Sequence, residues 1–571
     1  MTTTTETAVS GASPADTARP GEKPAMTRRE TLEAMSGILL GMFVALLATS
    51  VVSSSLPRIV SELNGSGSSY TWVVTATLLT TTITTPIWGK LADMTNRKLL
   101  IQLALVVAVL SSAAAGLSQN VGELILFRAF QGVGAGGLTA LGTVLIADIV
   151  SPRERGKYMG LMGGVMAVSM VGGPILGGTL TDSIGWRWDF FVGLPIAIVA
   201  IAVLQKTLHL PKRTKGDSRI DYWGAALISV GVALLLLWVT FAGSNFDWVS
   251  WQTFAMVGGA VVALVAAILV EKHEGTDAII PLHLFKNSTF VLAVVASIAV
   301  GVAMFGASVF LSQYIQIAKG KTPTQSGLLT IPMVVGVFLA SLVIGNLIAR
   351  TGRYKWFMVT GGVLLTVGLL LMGTIDYRTS FVTLSVYLFV IGVGTGMLMQ
   401  NLVLAVQNTL DVHEIGSGTA SVAFFRTLGG AIGVSVLGAV LNTRVTSSIA
   451  DGLTKLGITM PGGSGGTLPE IDKLPAPVAT VVEKAYGDGV AEIFLIAAPL
   501  ALVAAIACVF LKEIPLGTKS GVELLQEGAD AAGERSATEA EHRAELDTAM
   551  SVVAPTSSEE PDERRVSATR A

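Results

Sequence analysis

Apolar runs separated by short polar breaks dominate the chain from about residue 33 to residue 515. An α-helix needs roughly 17–25 apolar residues to cross about 30 Å of hydrocarbon. Runs of that length fall near 36–56, 70–89, 99–117, 123–149, 157–179 and 188–205, then 222–242 and 251–271, then 289–313, 325–348, 356–375, 381–408, 417–441 and 489–511. These fourteen segments predict an all-α membrane protein with both termini on one side. The first 30 residues are rich in Thr, Ala and Pro and lack the apolar stretch of a signal peptide. They, and the Glu-, Ala- and Ser-rich segment after Pro515, read as solvated tails. The pattern divides the chain into a disordered N-terminal tail (1–32), a six-helix half (33–206), a two-helix insert with its flanking loops (207–288), a second six-helix half (289–515) and a disordered acidic tail (516–571). Within the second half a long extracellular loop is expected at 442–488, its segment "PAPVATVVEKAY" forming a short amphipathic surface helix.

Composition narrows the class. Hydrophobic residues fill 51% of the 571 positions and charged residues only 14%, where a soluble domain carries about a quarter charged. Mean hydropathy is +0.65. A typical soluble enzyme and a nucleic-acid-binding domain are thereby excluded. The single cysteine, Cys508, lies in an apolar run, and no histidines pair at metal-ligand spacing, so neither an intramolecular disulfide nor a metal site is expected. The net charge of −2 says little, but the placement of charge says more. Lys90, Arg97 and Lys98, then Arg153, Arg155 and Lys157, then Lys206, Lys212, Arg213, Lys215 and Arg219, then Arg350, Arg353 and Lys355 occupy one alternate set of loops, and the other set is nearly bare. Short basic loops stay in the cytoplasm. The expectation is a multi-pass protein of the cell inner (cytoplasmic) membrane with both termini cytoplasmic.

The two halves echo each other. "GKLADMTNRK" at 89–98 matches "GNLIARTGRYK" at 345–355 with an offset of 256. "GVG" at 132–134 matches "GVG" at 392–394 with an offset of 260, which also pairs Asp148 with Asn408. Repeated halves around a midplane cavity suit alternating-access transport. Glycines suit it too, because lipid supplies no hydrophobic drive and small residues let helix backbones approach.

Several segments carry a family resemblance. "GKLADMTNRK" resembles the loop motif G-x-x-x-D-x-x-G-R-K/R of the major facilitator superfamily through Gly89, Asp93, Arg97 and Lys98, with Asn96 in place of the second glycine. "LILFRAFQGVGAGG" resembles the fourth-span motif R-x-x-Q-G-x-G through Arg128, Gln131, Gly132 and Gly134. "VGGPILGG" resembles the fifth-span antiporter motif through Gly173, Pro174, Gly177 and Gly178. "GWRWDFFVGLPI" is similar to the W-R-W-x-F-x-x-N-x-P signature of the fourteen-helix drug:proton antiporter family, with Gly193 where asparagine is usual. The resemblance spans about residues 30–515. It implies the major facilitator fold arranged as 6+2+6 with two pseudo-symmetric halves. It also implies a multidrug efflux transporter that is no enzyme, acts as a monomer, confers antibiotic resistance, and draws on a proton gradient without a cofactor. Its partners would be protons, the bilayer and a small amphipathic substrate, cationic ones included.

The resemblance further implies that Asp93 docks at the N-terminus of the fifth helix of the opposite half, here near 413–421, where free N–H groups and the helix dipole attract an anion. Gly89, Arg97, Lys98 and Asp148 would complete this conformational latch, Asp148 by pairing with Arg97. Arg128 and Arg426 lie within spans. An arginine at the bilayer centre costs roughly 2.5–3.5 kcal/mol and normally faces a cavity or a partner. Snorkelling to the outer interface is the other reading for Arg128, and Gln131 one turn on argues against it. The glycines around Pro174 suggest a bend suited to close packing between halves. Ser50, Ser53, Ser54, Gln313, Gln400 and Asn401, with Met166, Met170, Phe424 and Phe425 as soft apolar surface, line the cavity or pack in the core.

One departure matters. The first-span position where the family typically has an aspartate is Ala48. The coupling carboxylate is expected elsewhere, with Glu123 or Asp189 opposite Arg128. Two further readings stay open: an exporter or flippase of a lipid or lipid conjugate on the same fold, and a non-transporting membrane sensor signalling through its acidic tail. No G-x-x-x-x-G-K-[ST] loop occurs, which disfavours ATP drive.

Overall fold

The computed structural model describes residues 28–65, 67–208, 220–243, 245–275, 277–321, 323–456 and 475–524, and scattered positions up to 546. The expected N-terminal tail up to residue 27, and most of the expected C-terminal tail, lie outside the described residues. The first half comprises α1 (Arg28–Glu62), α2 (Gly67–Met94), α3 (Arg97–Gly116), α4 (Val121–Ile149), α5 (Pro152–Ser183), a short α6 (Trp188–Phe191) and α7 (Gly193–Thr207). The insert is α8 (Tyr222–Phe241) and α9 (Trp251–Glu274). The second half begins with α10 (Ser288–Gln313), which runs into a π-helical turn at Tyr314–Ala318. It continues through α11 (Pro323–Leu329), α12 (Ile331–Thr351), α13 (Lys355–Met372), α14 (Phe381–Gln407), α15 (Ile415–Lys455) and α16 (Ala476–Phe510).

Among the described residues, thirteen segments have the length and apolar composition to cross a membrane. The fourteenth crossing is α2, 28 residues long and rich in threonine. Its hydroxyls are not left bare in the interior. Thr77, Thr80 and Thr81 donate to the carbonyls of Arg128, Ala129 and Gly132 on α4 at 3.1, 2.8 and 3.1 Å. Thr84 and Thr85 donate back to their own helix. A polar helix is thus admitted to the bundle because these hydroxyls find acceptors.

The repeat is carried into packing. α1 lies on α5 and α7 as α10 lies on α15 and α16, and α2 and α3 flank α4 as α12 and α13 flank α14. The repeated Gly-Val-Gly shows why. A side chain at Gly132 would collide with α2 at Thr77 and Thr80, and one at Gly134 with α3 at Ala104 and Ala108. At the same offset, Gly392 meets α12 at Met333 and Gly394 meets α13 at Gly361 and Leu365. The halves join along two equivalent seams, α2 on α15 and α5 on α12. The insert covers the first seam: Ile228, Val232 and Leu236 of α8 cluster with Leu79 and Ile83 of α2 and Phe424 of α15.

Three boundaries differ from the sequence reading. α15 continues to Lys455 and α16 starts at Ala476, so most of the expected loop 442–488 is helix. The two extensions support each other, with Arg444 pairing with Glu492 at 2.9 Å and Gly452 packed on Val481. "PAPVATVVEKAY" therefore supplies the first turns of α16 instead of a separate surface helix, and residues 457–474 lie outside the described residues. At the N-terminus α1 begins at Arg28, inside the expected tail. At the other end residues 513–521 pack on the bundle: Asn408 Nδ2 donates to Ile514 O at 3.2 Å and Arg153 N to Gly517 O at 3.1 Å. The C-terminal tail accordingly starts after Gly521, where a separate unit begins.

Candidate functional site

The densest polar contacts between the halves lie at the end of the bundle that carries the basic loops. Asp93 Oδ1 accepts the backbone N–H of Gly416 at 2.8 Å, and its Oδ2 that of Ser417 at 2.7 Å. These N–H groups belong to the first turn of α15, where no intrahelical acceptor exists, and the helix dipole adds attraction for an anion. Gly89 makes the approach possible. A Cβ there would collide with Ala420 and lie 2.7 Å from Gly416 O, so α2 and α15 lie this close only with glycine at that position.

Arg97 braces the carboxylate from behind. Its Nη2 donates to Asp93 Oδ1 at 3.0 Å, its Nη1 to Asp148 at the end of α4, and its Nε to Ala92 O at 2.7 Å. The arginine side chain is only 2% exposed. Asn96, standing where the motif has glycine, caps α3 by accepting Lys98 N–H at 3.0 Å with φ −69°. No positive φ is needed there. Its counterpart Gly352 has φ +70° and does need glycine. Lys98 points away from Asp93 and donates to Gln205 O at 2.8 Å.

At the equivalent seam no carboxylate is present, since position 93 plus 256 is Ala349. Arg153 of α5 works there instead, donating to Ala349 O and Arg350 O at 3.3 Å each, in the last turn of α12. Both seams thus join a side chain of the first half to a helix end of the second, an anion to an N-terminus and a cation to a C-terminus. Between them Gln407 Nε2 donates to Thr143 O at 3.3 Å and Thr419 Oγ1 at 3.0 Å. Buried Arg155 holds the end of α4 through Val150 O and Ala147 O at 3.0 and 2.6 Å. Lys90 interacts electrostatically with Asp93 and with Glu271, Asp277 and Glu414, which brings the insert to the same place. Sequence reading treated Arg153 and Arg155 only as topology signals and missed Gln407. The available signal was the repeat itself, which carries Asp93 onto an alanine.

Along α5 the close approaches cluster toward the basic-loop end, and α11 meets α5 at the other. On α5, side chains at Gly156, Gly160 and Gly164 would strike Gly345, Ser341 and Phe338 of α12. Gly173 and Gly177 face elsewhere. A Cβ at Gly173 would strike Ser50, and Gly177 O accepts Ser55 Oγ at 3.2 Å, so both pack on α1 of the same half and not between halves as expected. A Cβ at Gly172 or Gly178 would meet nothing within 4 Å. Pro174 lies in this part of α5.

The expected pairing of acids with Arg128 does not occur. Arg128 is 3% exposed, with Nη1 donating to Gln131 Oε1 at 2.6 Å, so it does not snorkel. Glu123 folds back over its own helix N-terminus and accepts from Gln119 N and Asn120 Nδ2 at 2.8 Å each. A capping carboxylate five residues from Arg128 lies on another face of a 3.6-residue helix. Asp189 is 1% exposed. It sits at the junction of α1, α5 and α6, where Thr181 Oγ1 donates to its Oδ2 at 2.9 Å and lies 2.7 Å from Ser55 Oγ.

The other expected cavity residues divide. Gln400 Nε2 reaches Met166 Sδ at 3.7 Å, from α14 to α5 across the halves. Met170 is 39% exposed, and Ser50 Oγ lies 3.5 Å from its carbonyl. Asn401 turns back onto Met397 O at 2.7 Å, Gln313 is half-buried at the end of α10, and Arg426 donates to Met399 O at 3.3 Å. Phe424 and Phe425 are edge-to-face at 5.1 Å, and Phe425 meets Phe285. They pack with the insert, not on an open surface between halves. The side chains of Ser53 and Ser54 lie outside the described residues.

Thirteen apolar segments and the threonine-rich α2, arranged as two repeated halves with a two-helix insert and joined at helix ends by a few polar contacts, define a multi-pass membrane transporter rather than an enzyme. The chain belongs to the Major Facilitator Superfamily, whose family model matches residues 38–434. It is 36% identical over 481 residues to an uncharacterized MFS-type transporter of Mycobacterium tuberculosis, covering 84% of this chain and 69% of that one. It is 33% identical over 453 residues to the multidrug transporter protein MdtP of Bacillus subtilis, covering 79% and 80%. It is 33% identical over 483 residues to the efflux pump dotC of Dothistroma septosporum, covering 83% and 82%. The fold is similar to that of the proton:xylose symporter XylE, with TM-score 0.58, 15% identity, and coverage of 87% of this chain and 99% of that one.

Proposed function

We propose that this protein is a secondary active exporter that exchanges small amphipathic compounds for protons by alternating access. It acts as a monomer in the inner (cytoplasmic) membrane, with the basic-loop end and both termini in the cytoplasm. One observation carries this reading: Asp93, Arg153, Gln407 and the glycine seam of α5 join the halves toward the basic-loop end, while Gly172 and Gly178 of the same helix have open space beside them. Contacts to helix ends contribute about 0.3–2 kcal/mol each. A few of them bias an outward-open state and still break when cargo and protons exchange. Basic short loops argue for the cytoplasmic side. The names of the multidrug and efflux relatives support drug-like cargo and a role in antibiotic resistance.

Asp189 is the proton-exchanging carboxylate in this reading, because it is buried among hydroxyls and makes no ion pair among the described residues. Proton entry suffices as the energy source, with no cofactor. One charge crossing ~150 mV releases about 3.5 kcal/mol, which at about 1.4 kcal/mol per tenfold sustains a gradient of a few hundred-fold. The test is fluorescent-dye uptake into inside-out vesicles under an imposed pH gradient. Gradient-dependent uptake, lost in Asp189→Asn, is the expected result. Uptake that persists after the gradient is collapsed would overturn proton exchange. Movement of a labelled lipid with no movement of any dye would move the cargo to a lipid.

A further inference from the structure

Three oxygen contacts run in a row from α6 to α5, and the two hydroxyls in them hold two hydrogens. Asp189 Oδ2 lies 2.9 Å from Thr181 Oγ1, Thr181 Oγ1 lies 2.7 Å from Ser55 Oγ, and Ser55 Oγ lies 3.2 Å from Gly177 O. All three side chains are buried. A serine or threonine hydroxyl carries one hydrogen, and an ionised carboxylate or a carbonyl oxygen carries none. With Asp189 ionised, Thr181 and Ser55 fill two of the three contacts, and the remaining one sets lone pairs against each other. Ser55 is close to the carboxylate as well, which adds a contact and no hydrogen. The missing hydrogen has one source within the cluster, the carboxyl group itself. A second observation agrees, because Asp189 Oδ1 is buried without a partner. A bare buried oxygen costs far more on a charged carboxylate than on a neutral acid.

The charged groups around this cluster are engaged elsewhere. Arg58 of α1 pairs with Glu62 at 3.1 Å and with Asp182 of α5 at 3.5 Å, and Glu62 also accepts Trp186 Nε1 at 2.7 Å. Arg187 donates to Gly116 O and Ser118 O at 3.4 and 3.2 Å, and Arg128 of α4 to Gln131. The other charges on α1, α3, α5 and α7 lie at the basic-loop end. We propose that Asp189 holds a proton in this conformation, and that Thr181 and Ser55 are positioning residues that tie this proton to the packing of α1 on α5. Asp189 Oδ2–H donates to Thr181, Thr181 to Ser55, and Ser55 to Gly177 O. When the proton passes to water, Thr181 turns its hydrogen to the carboxylate, Ser55 turns its own to Thr181, and Gly177 O loses its donor from α1. A Cβ at the adjacent Gly178 would meet nothing within 4 Å, so α5 has room to shift where that bond is released. The inference rests on Asp189 as the proton-exchanging carboxylate and adds how the helices feel the proton.

The test is infrared absorption of the purified full-length protein at neutral pH, which tells a carboxylic acid from a carboxylate by its C=O stretch. The expected result is an acid band in the wild type that is lost in Asp189→Asn. It falls at the high-frequency end of the acid range, because Oδ1 accepts no hydrogen bond. Thr181→Val removes the acceptor of the acid proton and shifts the band, and Thr181→Ser returns it to the wild-type position. Where Asp189→Asn does not fold, the two Thr181 variants carry the test. Identical acid bands in wild type and Asp189→Asn overturn the proposal, and so does a band that stays in place in Thr181→Val. The band reads where the proton sits, and dye uptake reads whether that proton drives export. A band that behaves as expected, beside undiminished gradient-driven uptake in Asp189→Asn, would end the coupling role of Asp189 and leave the hydrogen-bond relay standing.

Discussion

Asp93 and Gly416 stand 323 positions apart in the chain and are joined at 2.8 Å, carboxylate oxygen to backbone N–H. The bond places the last turn of one half's second helix against the first turn of the other half's fifth. It is matched at the second seam by Arg153 on the end of α12, with the sign of both partners reversed. The two halves are therefore held at one end by helix termini, which release without disturbing the core of either half.

Asp93→Asn keeps the shape but removes the charge and one of the two acceptors. A loss of about 2 kcal/mol, the upper range for a partly buried carboxylate at a helix N-terminus, shifts the closed-to-open ratio about 30-fold. Distances between spin labels on the basic-loop ends of α2 and α15, measured with Cys508 replaced, report the change. Unaltered distance distributions would show that this contact does not hold the halves.

Gly89→Ala should be far more damaging than its size suggests. Its methyl group would collide with Ala420 and lie 2.7 Å from Gly416 O, so α2 must move off α15 and Asp93 loses its partners. Transport should fall at least tenfold with expression retained. Gly172→Ala, with nothing within 4 Å, should keep activity and gain up to about 1 kcal/mol of helix propensity. Equal damage in both variants would show that close approach is not what Gly89 provides.

Arg153 is exposed, so Arg153→Ala should weaken the second seam by only about 0.3–1 kcal/mol, less at high salt. Arg153→Glu places an anion at a helix C-terminus and should open the seam further. The same spin-label measurement between α5 and α12, repeated at low and high ionic strength, checks both the order and the salt dependence.

Truncation separates the tail from the bundle. A chain ending at Gly521 should melt and transport like the full chain. One ending at Lys512 loses the acceptors Ile514 O for Asn408 and Glu513 Oε1 for Tyr354 N, at 3.2 and 3.0 Å, and should melt several degrees lower. Lost transport in the chain ending at Gly521 would show that the segment beyond it takes part in transport.

By itself the sequence determined the number and order of the spans, the two repeated halves, the insert and the chemistry of the Asp93 contact. Span length and loop charge are local properties, readable one segment at a time. Asp93 was legible through the loop motif whose family resemblance implies docking on the fifth helix of the opposite half, where a helix N-terminus attracts an anion. The tertiary structure alone decided how each helix is turned about its own axis. That rotation sends Gly173 and Gly177 toward α1 instead of the other half, turns Glu123 onto its own cap, sets Asp189 beside Thr181, and packs Phe424 and Phe425 under the insert. It also gives Arg153 and Gln407 their partners and carries α15 and α16 through the expected loop. The physical reason is the solvent. In a bilayer the lipid-facing and core-facing sides of a helix are both apolar, so the hydrophobic period that orients a helix in a soluble protein carries little information. Only the packing of one small-residue face on another decides which side chains meet.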